Sequence, residues 1–307
     1  MKKLVDLSDL TKNEITSIID LADEMKKNPL KYSQALNGKT LLMIFDKASL
    51  RTRVSFEVAM TQMGGHGIYY NVSTSPLGKK ETMSDTARAA SRYVDLIMAR
   101  IGPHEDMIEL ANTAEVPVIN AMTNFAHPCQ ILADLQTIRE KKGSFDGLKL
   151  AYFGDSNNNV THSLLFGCAI MGINITVCCP EGSEYEPMPE VLEKAKQLGS
   201  ASVATVEVTH DAQAGASEAD VIYTDSWMSY HISEEQKEDR INTFKPYQVN
   251  QELMSLAKPD AIFMNCLPAM RGMEQTAEVV DGPQSVVFDE AENRLHSCKA
   301  LMQELLK

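Results

Sequence analysis

Several things are scarce in this 307-residue sequence, and each absence narrows the possibilities. No apolar run approaches the ~20 residues that a helix needs to span a bilayer. The opening MKKLVDLSDLTKNE turns polar within a few residues and lacks the apolar core of a signal peptide, so a cytoplasmic location is expected. Positive charge is in deficit, with 29 Lys and Arg against 42 Asp and Glu and a formal net charge of -13. That balance excludes the broad basic surface of a nucleic-acid binder. The six cysteines, Cys129, Cys168, Cys178, Cys179, Cys266 and Cys298, form no C-x-x-C pair. Neither a disulfide framework nor a zinc site is expected from that spacing.

What is present is the composition of a soluble globular protein, 44% hydrophobic and 23% charged. Strand-like and helix-like segments alternate. Thr11 to Glu14 reads T-K-N-E, a capping box ahead of the amphipathic run ITSIIDLADEM. LLMIF, GIYYN, LIMAR and VPVIN read as strands, separated by helical patterns such as DTARAASRY and EDMIELANTA. The longer helix QILADLQTIREKK ends at Gly143. A second series follows, with strands in KLAYFGD, ITVCCP, VATVEV, VIYTD and AIFMNCLP, and the chain closes on the helical EAENRLHSCKALMQELL. The expected fold is α/β, with two doubly wound parallel-sheet domains and an active-site cleft between them. The boundary is expected near Gly143, giving domains 1–143 and 144–289.

Against this acidic background, FDKASLRTRVSFE collects Lys47, Arg51 and Arg53 where a strand gives way to a helix. Cations are unfavourable at a helix N-terminus, so their presence calls for a reason. Free backbone N–H groups, the Ser49 and Thr52 hydroxyls and a guanidinium make an oxyanion site, most simply for phosphate. The plainer reading is a capped helix with a solvated first turn. Arg51 and Arg53 point in different directions on a helix, so one of them is expected to belong to the scaffold. Arg100 ends LIMAR, at the ligand end of a parallel strand, although a surface ion pair would place an arginine there equally well. His127-Pro128-Cys129-Gln130 offers a donor for a carbonyl oxygen and an amide for a carboxamide. A proline-stopped loop explains it as simply. Gly154-Asp155-Ser156-Asn157-Asn158-Asn159 holds the position of a dinucleotide fingerprint but lacks G-x-G-x-x-G, which disfavours a nucleotide. Asp225 ends VIYTD, and Asn265-Cys266-Leu267-Pro268 follows AIFM. A carboxylate there suits an ammonium group. The thiol reads as a core side chain or a nucleophile, with no Cys–His partnership in the sequence order to favour the second.

Taken together, S-L-R-T-R, Arg100, H-P-C-Q, the asparagine-rich turn, D-S-W-x-S, C-L-P and E-N-R resemble the aspartate/ornithine transcarbamoylase family over essentially the whole chain. The C-L-P element and the closing GPQSVVFDEAENRLHSCKALM resemble its ornithine-specific branch. The resemblance implies a homotrimer, or a multiple of trimers, with active sites shared between subunits. It also implies a last helix, 290–307, packed back on the first domain. The activity implied is transfer of a carbamoyl group from carbamoyl phosphate to the δ-amine of L-ornithine in arginine metabolism, with no metal and no cofactor. Ser49, Leu50, Arg51, Thr52, Arg100, His127, Gln130, Cys266, Leu267 and Arg294 are implied for carbamoyl phosphate. Asn159, Asp225, Ser229 and Tyr230 are implied for ornithine. Arg100, His127, Asp225 and Cys266 are implied for the chemistry.

Three positions depart from the family's usual pattern. Asn265 stands where the ornithine branch usually has histidine. Ser229-Tyr230-His231 stands where it usually reads S-M-G. Pro76 stands where a glutamine usually precedes L-G, leaving Lys79 or Lys80 to reach across to phosphate. The first two changes bear on the acceptor more than the donor. Another amine such as putrescine, a catalytically silent relative and a phosphate-binding regulatory module are the rival readings.

Overall fold

The computed structural model describes residues 2–72, 81–228, 235 and 237–307. The chain divides into two compact units, Met1–Gln136 with Glu292–Lys307, and Thr137–Ala291.

In the first unit five parallel strands, β1 (Lys3–Leu4), β2 (Thr40–Phe45), β3 (His66–Asn71), β4 (Leu96–Arg100) and β5 (Val118–Met122), lie in the order β1-β5-β4-β2-β3. Every residue of β4 and β5 is buried. That is why these strands read as continuous apolar runs, since parallel sheets are covered on both faces. Helix α1 (Lys12–Lys27) starts on the expected capping box. Thr11 N–H donates to Glu14 Oε2 at 2.8 Å, and Glu14 N–H donates to Thr11 Oγ1 at 3.3 Å. Its buried face is Ile15, Ile18, Ile19, Ala22 and Met25, the spacing of one helical stripe. Helices α2 (Leu50–Gln62), α3 (Met83–Ala90) and α4 (His104–Thr113) alternate with the strands. Ile44, Ile97, Ala99 and Val118 pack with Met107 and Leu110 of α4. Burying an apolar side chain of this size stabilises the fold by about 1.5–3 kcal/mol.

Helices α5 (Pro128–Lys142) and α12 (Val287–Leu306) contribute residues to both units, because the division falls inside each of them. The second unit also has five parallel strands, β6 (Lys149–Phe153), β7 (Asn174–Cys178), β8 (Val206–Thr209), β9 (Val221–Thr224) and β10 (Ile262–Met264), in the order β10-β9-β6-β7-β8. Helix α6 (Asn159–Met171) is buried from Val160 through Met171, as its all-round apolar sequence requires. Gly172, at φ 86°, ends it in the left-handed conformation. Helices α7 (Pro189–Ser202), α8 (Ala212–Ala216), α9 (Lys237–Phe244), α10 (Gln251–Leu256) and α11 (Ala277–Val280) complete this unit among the described residues. Phe153, Ile222, Val249 and Phe263 lie in its core.

The two strand orders carry the functional information. In the first unit the chain leaves β2 for β3 on one side and later takes up β4 on the other. The reversal therefore lies between β2 and β4, whose last residues, Phe45 and Arg100, are register partners. In the second unit the reversal lies between β6 and β9, where Phe153 pairs with Thr224. Ligands of open parallel sheets bind at the carboxyl ends of strands at such reversals.

Candidate active site

At the reversal of the first sheet, Ser49 caps α2. Its Oγ accepts the Thr52 N–H at 3.3 Å and donates to Thr52 Oγ1 at 3.1 Å. The same Thr52 oxygen lies 3.5 Å from Arg100 Nη1 and 3.5 Å from Arg294 Nη2. Arg100 comes from the end of β4 and Arg294 from α12. Thr52, Arg100 and Arg294 are all buried. Arg294 Nη1 also donates to Gln130 Oε1 at 2.5 Å, and Gln130 Nε2 donates to Asp134 Oδ1 at 2.8 Å, one turn further along α5. Residues spread from 49 to 294 thus meet around one hydroxyl.

The field there is positive. His127 is buried, and its pKa is held well below the ordinary histidine value, first by burial and then by the charges of Arg294, Arg100 and Arg51. The imidazole is therefore neutral at pH 7 and can donate one N–H without adding charge. The potential that resists a proton on His127 favours an anion, and the N-terminal dipole of α2 adds to it. Arg53 is occupied elsewhere. Its Nε donates to Glu57 Oε1 at 3.0 Å, and its guanidinium sits 3.9 Å from the centre of the Tyr69 ring. Leu50 is 75% exposed, so its apolar side chain is not part of the cluster, and only its backbone position at the helix start counts.

The reversal of the second sheet gathers different chemistry. Asp225 follows β9, and the Cys266 thiol donates to its Oδ1 at 3.2 Å. Leu267 holds a left-handed φ of 57°, and the Leu267–Pro268 peptide is cis. Of the three asparagines after β6, Asn158 is the cap of α6, its Oδ1 accepting the N–H groups of Val160 and Thr161 at 2.9 Å. Asn157 leans on the Ser183 carbonyl at 3.4 Å. Asn159 is the first residue of α6 and is half-buried. Behind this turn the buried Asp155 pairs with Arg240 of α9, whose Nε donates to the Trp227 carbonyl at 2.8 Å. Ser229, Tyr230 and His231 lie outside the described residues, as do Pro76, Lys79 and Lys80.

The side chains that support these groups were not apparent in the sequence. Asp134 has a local signal, the Gln-x-x-x-Asp spacing of Gln130 and Asp134 on one helix face. Asp155 and Arg240 stand 85 positions apart and have none. Five of the six cysteines are buried and Cys266 alone is partly exposed. Among the described residues no group of three or more His, Cys, Asp or Glu side chains could hold a metal ion.

Comparison with known proteins matches this division. Residues 2–140 match the carbamoyl-P binding domain of aspartate/ornithine carbamoyltransferase, and residues 146–305 match its Asp/Orn binding domain. The ornithine carbamoyltransferase of Methanothermobacter thermautotrophicus is 51% identical over 306 residues, covering 100% of this chain and 99% of that protein. That of Thermococcus kodakarensis is 52% identical, covering 96% of this chain and 93% of that protein. Among solved structures, the Pyrococcus furiosus ornithine carbamoyltransferase superposes with a TM-score of 0.94 at 48% identity, covering 98% of this chain and 96% of that one. The Giardia lamblia ornithine transcarbamoylase superposes at 0.91 and 44% identity, covering 99% and 98%. Two family domains matched in order and relatives about half identical over the full length assign the chain: it belongs to the aspartate/ornithine carbamoyltransferase family.

Proposed function

We propose that the chain transfers the carbamoyl group of carbamoyl phosphate to the δ-amine of L-ornithine, releasing L-citrulline and phosphate. The observation that carries the donor half is the meeting of two buried guanidiniums on Thr52 at the start of α2, beside a histidine kept neutral by burial and then by their charge. In this reading the N–H groups and hydroxyls of residues 49–52, with Arg51, hold the phosphate. Arg100 and Arg294 carry its charge, His127 donates to the carbamoyl oxygen, and Gln130 takes the carbamoyl amide. On the acceptor side Asn159, Asp225, Ser229 and Tyr230 hold ornithine, with Cys266 beside the reacting amine.

The chemistry asks for these groups. An alkylammonium has a pKa of about 10.4, so the amine must lose a proton before it attacks the carbamoyl carbon. Attack gives a tetrahedral oxyanion, which the His127 N–H and the arginines stabilise as an oxyanion hole does. The C–O bond to phosphate then breaks. Phosphate leaves with the electron pair, and it is the proposed acceptor of the amine proton.

A putrescine acceptor would leave the ornithine carboxylate ligands without a task, and the close relatives are ornithine carbamoyltransferases. A silent relative would be expected to have lost donor ligands, whereas Arg51, Arg100, His127, Gln130 and Arg294 are all in place. The trimer with shared active sites, the cytoplasmic location and the place in arginine biosynthesis are part of the same proposal and rest on the resemblance. Among the described residues no helix is long and apolar enough to cross a membrane. The test is phosphate release from carbamoyl phosphate with ornithine, putrescine, aspartate or acetylornithine as acceptor. Turnover is expected with ornithine. Turnover with putrescine in its place would overturn the assignment.

A further inference from the structure

We propose that a buried amide pair, Asn265 with Gln275, positions the Cys266 thiol against Asp225 and thereby sets how the acceptor amine is held. The clause about the amine rests on the function proposed above; the positioning itself does not.

Both amides are fully buried. A buried amide group that lacks a partner costs about 1–3 kcal/mol, so such a pair is held firmly once formed. Asn265 is fixed at three atoms. Its backbone N–H donates to Glu290 Oε2 at 3.0 Å. Its Oδ1 accepts the Leu267 N–H at 2.8 Å, closing an Asx turn over Cys266. Its Nδ2 donates to Gln275 Oε1 at 3.0 Å. The turn needs such support, because a leucine at φ 57° costs about 1–3 kcal/mol that its surroundings must offset. Cys266 lies between two residues held in this way, and its side-chain direction follows from theirs. The result is the 3.2 Å contact from Sγ to Asp225 Oδ1.

Gln275 is itself braced by its neighbours. The adjoining Glu274 is buried, and its Oε1 accepts the Met270 N–H at 2.8 Å. Burial raises the Glu274 pKa to about 7, and the Gln275 side chain opposes that rise. Three carboxyl groups, those of Asp225, Glu274 and Glu290, lie about the turn. A neutral amide pair sets the turn without adding a further charge to them. Asn265 stands where the ornithine branch usually has histidine, so the pair gives this departure a role: Asn265 is a positioning residue whose partner, Gln275, is ten positions away.

The experiment uses the full chain with Gln275→Met, which keeps side-chain length without the amide, Asn265→Ala, and the double variant. The first readout is the rate of Cys266 alkylation by iodoacetamide, mapped by mass spectrometry; the other five cysteines are buried. A thiol held against a carboxylate is slow to ionise, so releasing it should speed alkylation. Each single variant should react about 5-fold faster, the equivalent of one hydrogen bond, and the double variant no faster than Asn265→Ala alone. The second readout is kinetic: KM for ornithine should rise about 5-fold while KM for carbamoyl phosphate stays unchanged. Unchanged alkylation in either folded variant, or additive effects in the double, overturns the positioning claim. Should Gln275→Met lose its thermal transition, Gln275→Leu takes its place. Alkylation needs no substrate, so a wild-type chain inactive with ornithine would overturn the proposed function and leave the positioning claim decided on its own. Equal rises in both KM values would overturn the link to the acceptor.

Discussion

The two units use one construction for opposite chemistry. Each sets five parallel strands in an order that reverses once, and each reversal brings two strand ends into register, Phe45 with Arg100 in the first and Phe153 with Thr224 in the second. Each is followed by a helix capped by a small polar side chain, Ser49 for α2 and Asn158 for α6. The first reversal is then filled with cations. Arg100 and Arg294 share Thr52, and burial, with their charge added to it, keeps His127 neutral. The second is filled with acid and neutral amides, with Asp225 bonded to a thiol and Asn265 to Gln275. The scaffold therefore supplies a place, and in the function proposed above the sign of the charge put there would select the ligand: a phosphate in the first unit, an ammonium in the second.

The comparison is most exposed at Arg51. Arg51→Ala should weaken carbamoyl phosphate binding by about 10- to 150-fold, the range for one hydrogen bond to a charged group, with the circular-dichroism melt unchanged. Calorimetry showing native affinity would remove the phosphate assignment from the first unit. Asp225→Asn is the counterpart in the second. It should raise KM for ornithine about 5- to 30-fold, roughly 1–2 kcal/mol, and leave carbamoyl phosphate affinity as it was. A loss of donor affinity of the same size would show that charge is not divided between the units as described.

The two kinds of chemistry are unevenly legible in the sequence, for physical reasons. Strands such as LIMAR and KLAYF announce themselves because burial on both faces demands continuous apolar residues, and the T-K-N-E box is a local hydrogen-bond pattern. The cations of ASLRTR stood out because a helix N-terminus disfavours them. Strand order leaves no trace in periodicity, so the reversals that give Arg100 and Asp225 their meaning had to be seen. The two-residue β1 is too short for any pattern. Helix α9 is not legible in the sequence, because KEDRINTF is polar and buries an arginine, Arg240, whose partner Asp155 is remote in sequence. Asn265 was legible only as a departure, since its partner Gln275 is defined by space alone.

Titration should separate the units further. His127 and His296 in the first unit have lowered pKa values, through burial first. The unfolded chain binds those protons more readily, so their stability contribution is present above about pH 6.5 and is lost as pH falls. Glu274 in the second unit is raised to about 7, chiefly by burial with Asp225 adding to it. Its contribution has the opposite sign, fully present below the ordinary carboxylate pKa and lost as pH rises through 7. Between pH 7.5 and 5.5, amide exchange in β4 should therefore become faster relative to β9. His127→Gln should shrink the first trend and Glu274→Gln the second, each by a slope of at most about 1.4 kcal/mol per pH unit. Parallel behaviour of the two strands would contradict the opposed signs.

The smallest expected effect tests whether position, rather than charge alone, makes the first site. Arg53 lies two residues from Arg51 on the same helix and carries the same charge, so a diffuse basic patch would use both. Its guanidinium is instead bonded to Glu57 one turn on and stacked over Tyr69, at the solvent-exposed side of α2. An exposed i,i+4 pair of this kind contributes about 0.3–0.5 kcal/mol. Arg53→Gln should therefore lower stability by less than about 1 kcal/mol and leave carbamoyl phosphate affinity within 2-fold, a shift of roughly 0.4 kcal/mol. If donor affinity fell as far as it does in Arg51→Ala, phosphate would be responding to the summed charge of the helix start. The ordered cluster of Ser49, Thr52, Arg100 and Arg294 would then not be what selects it.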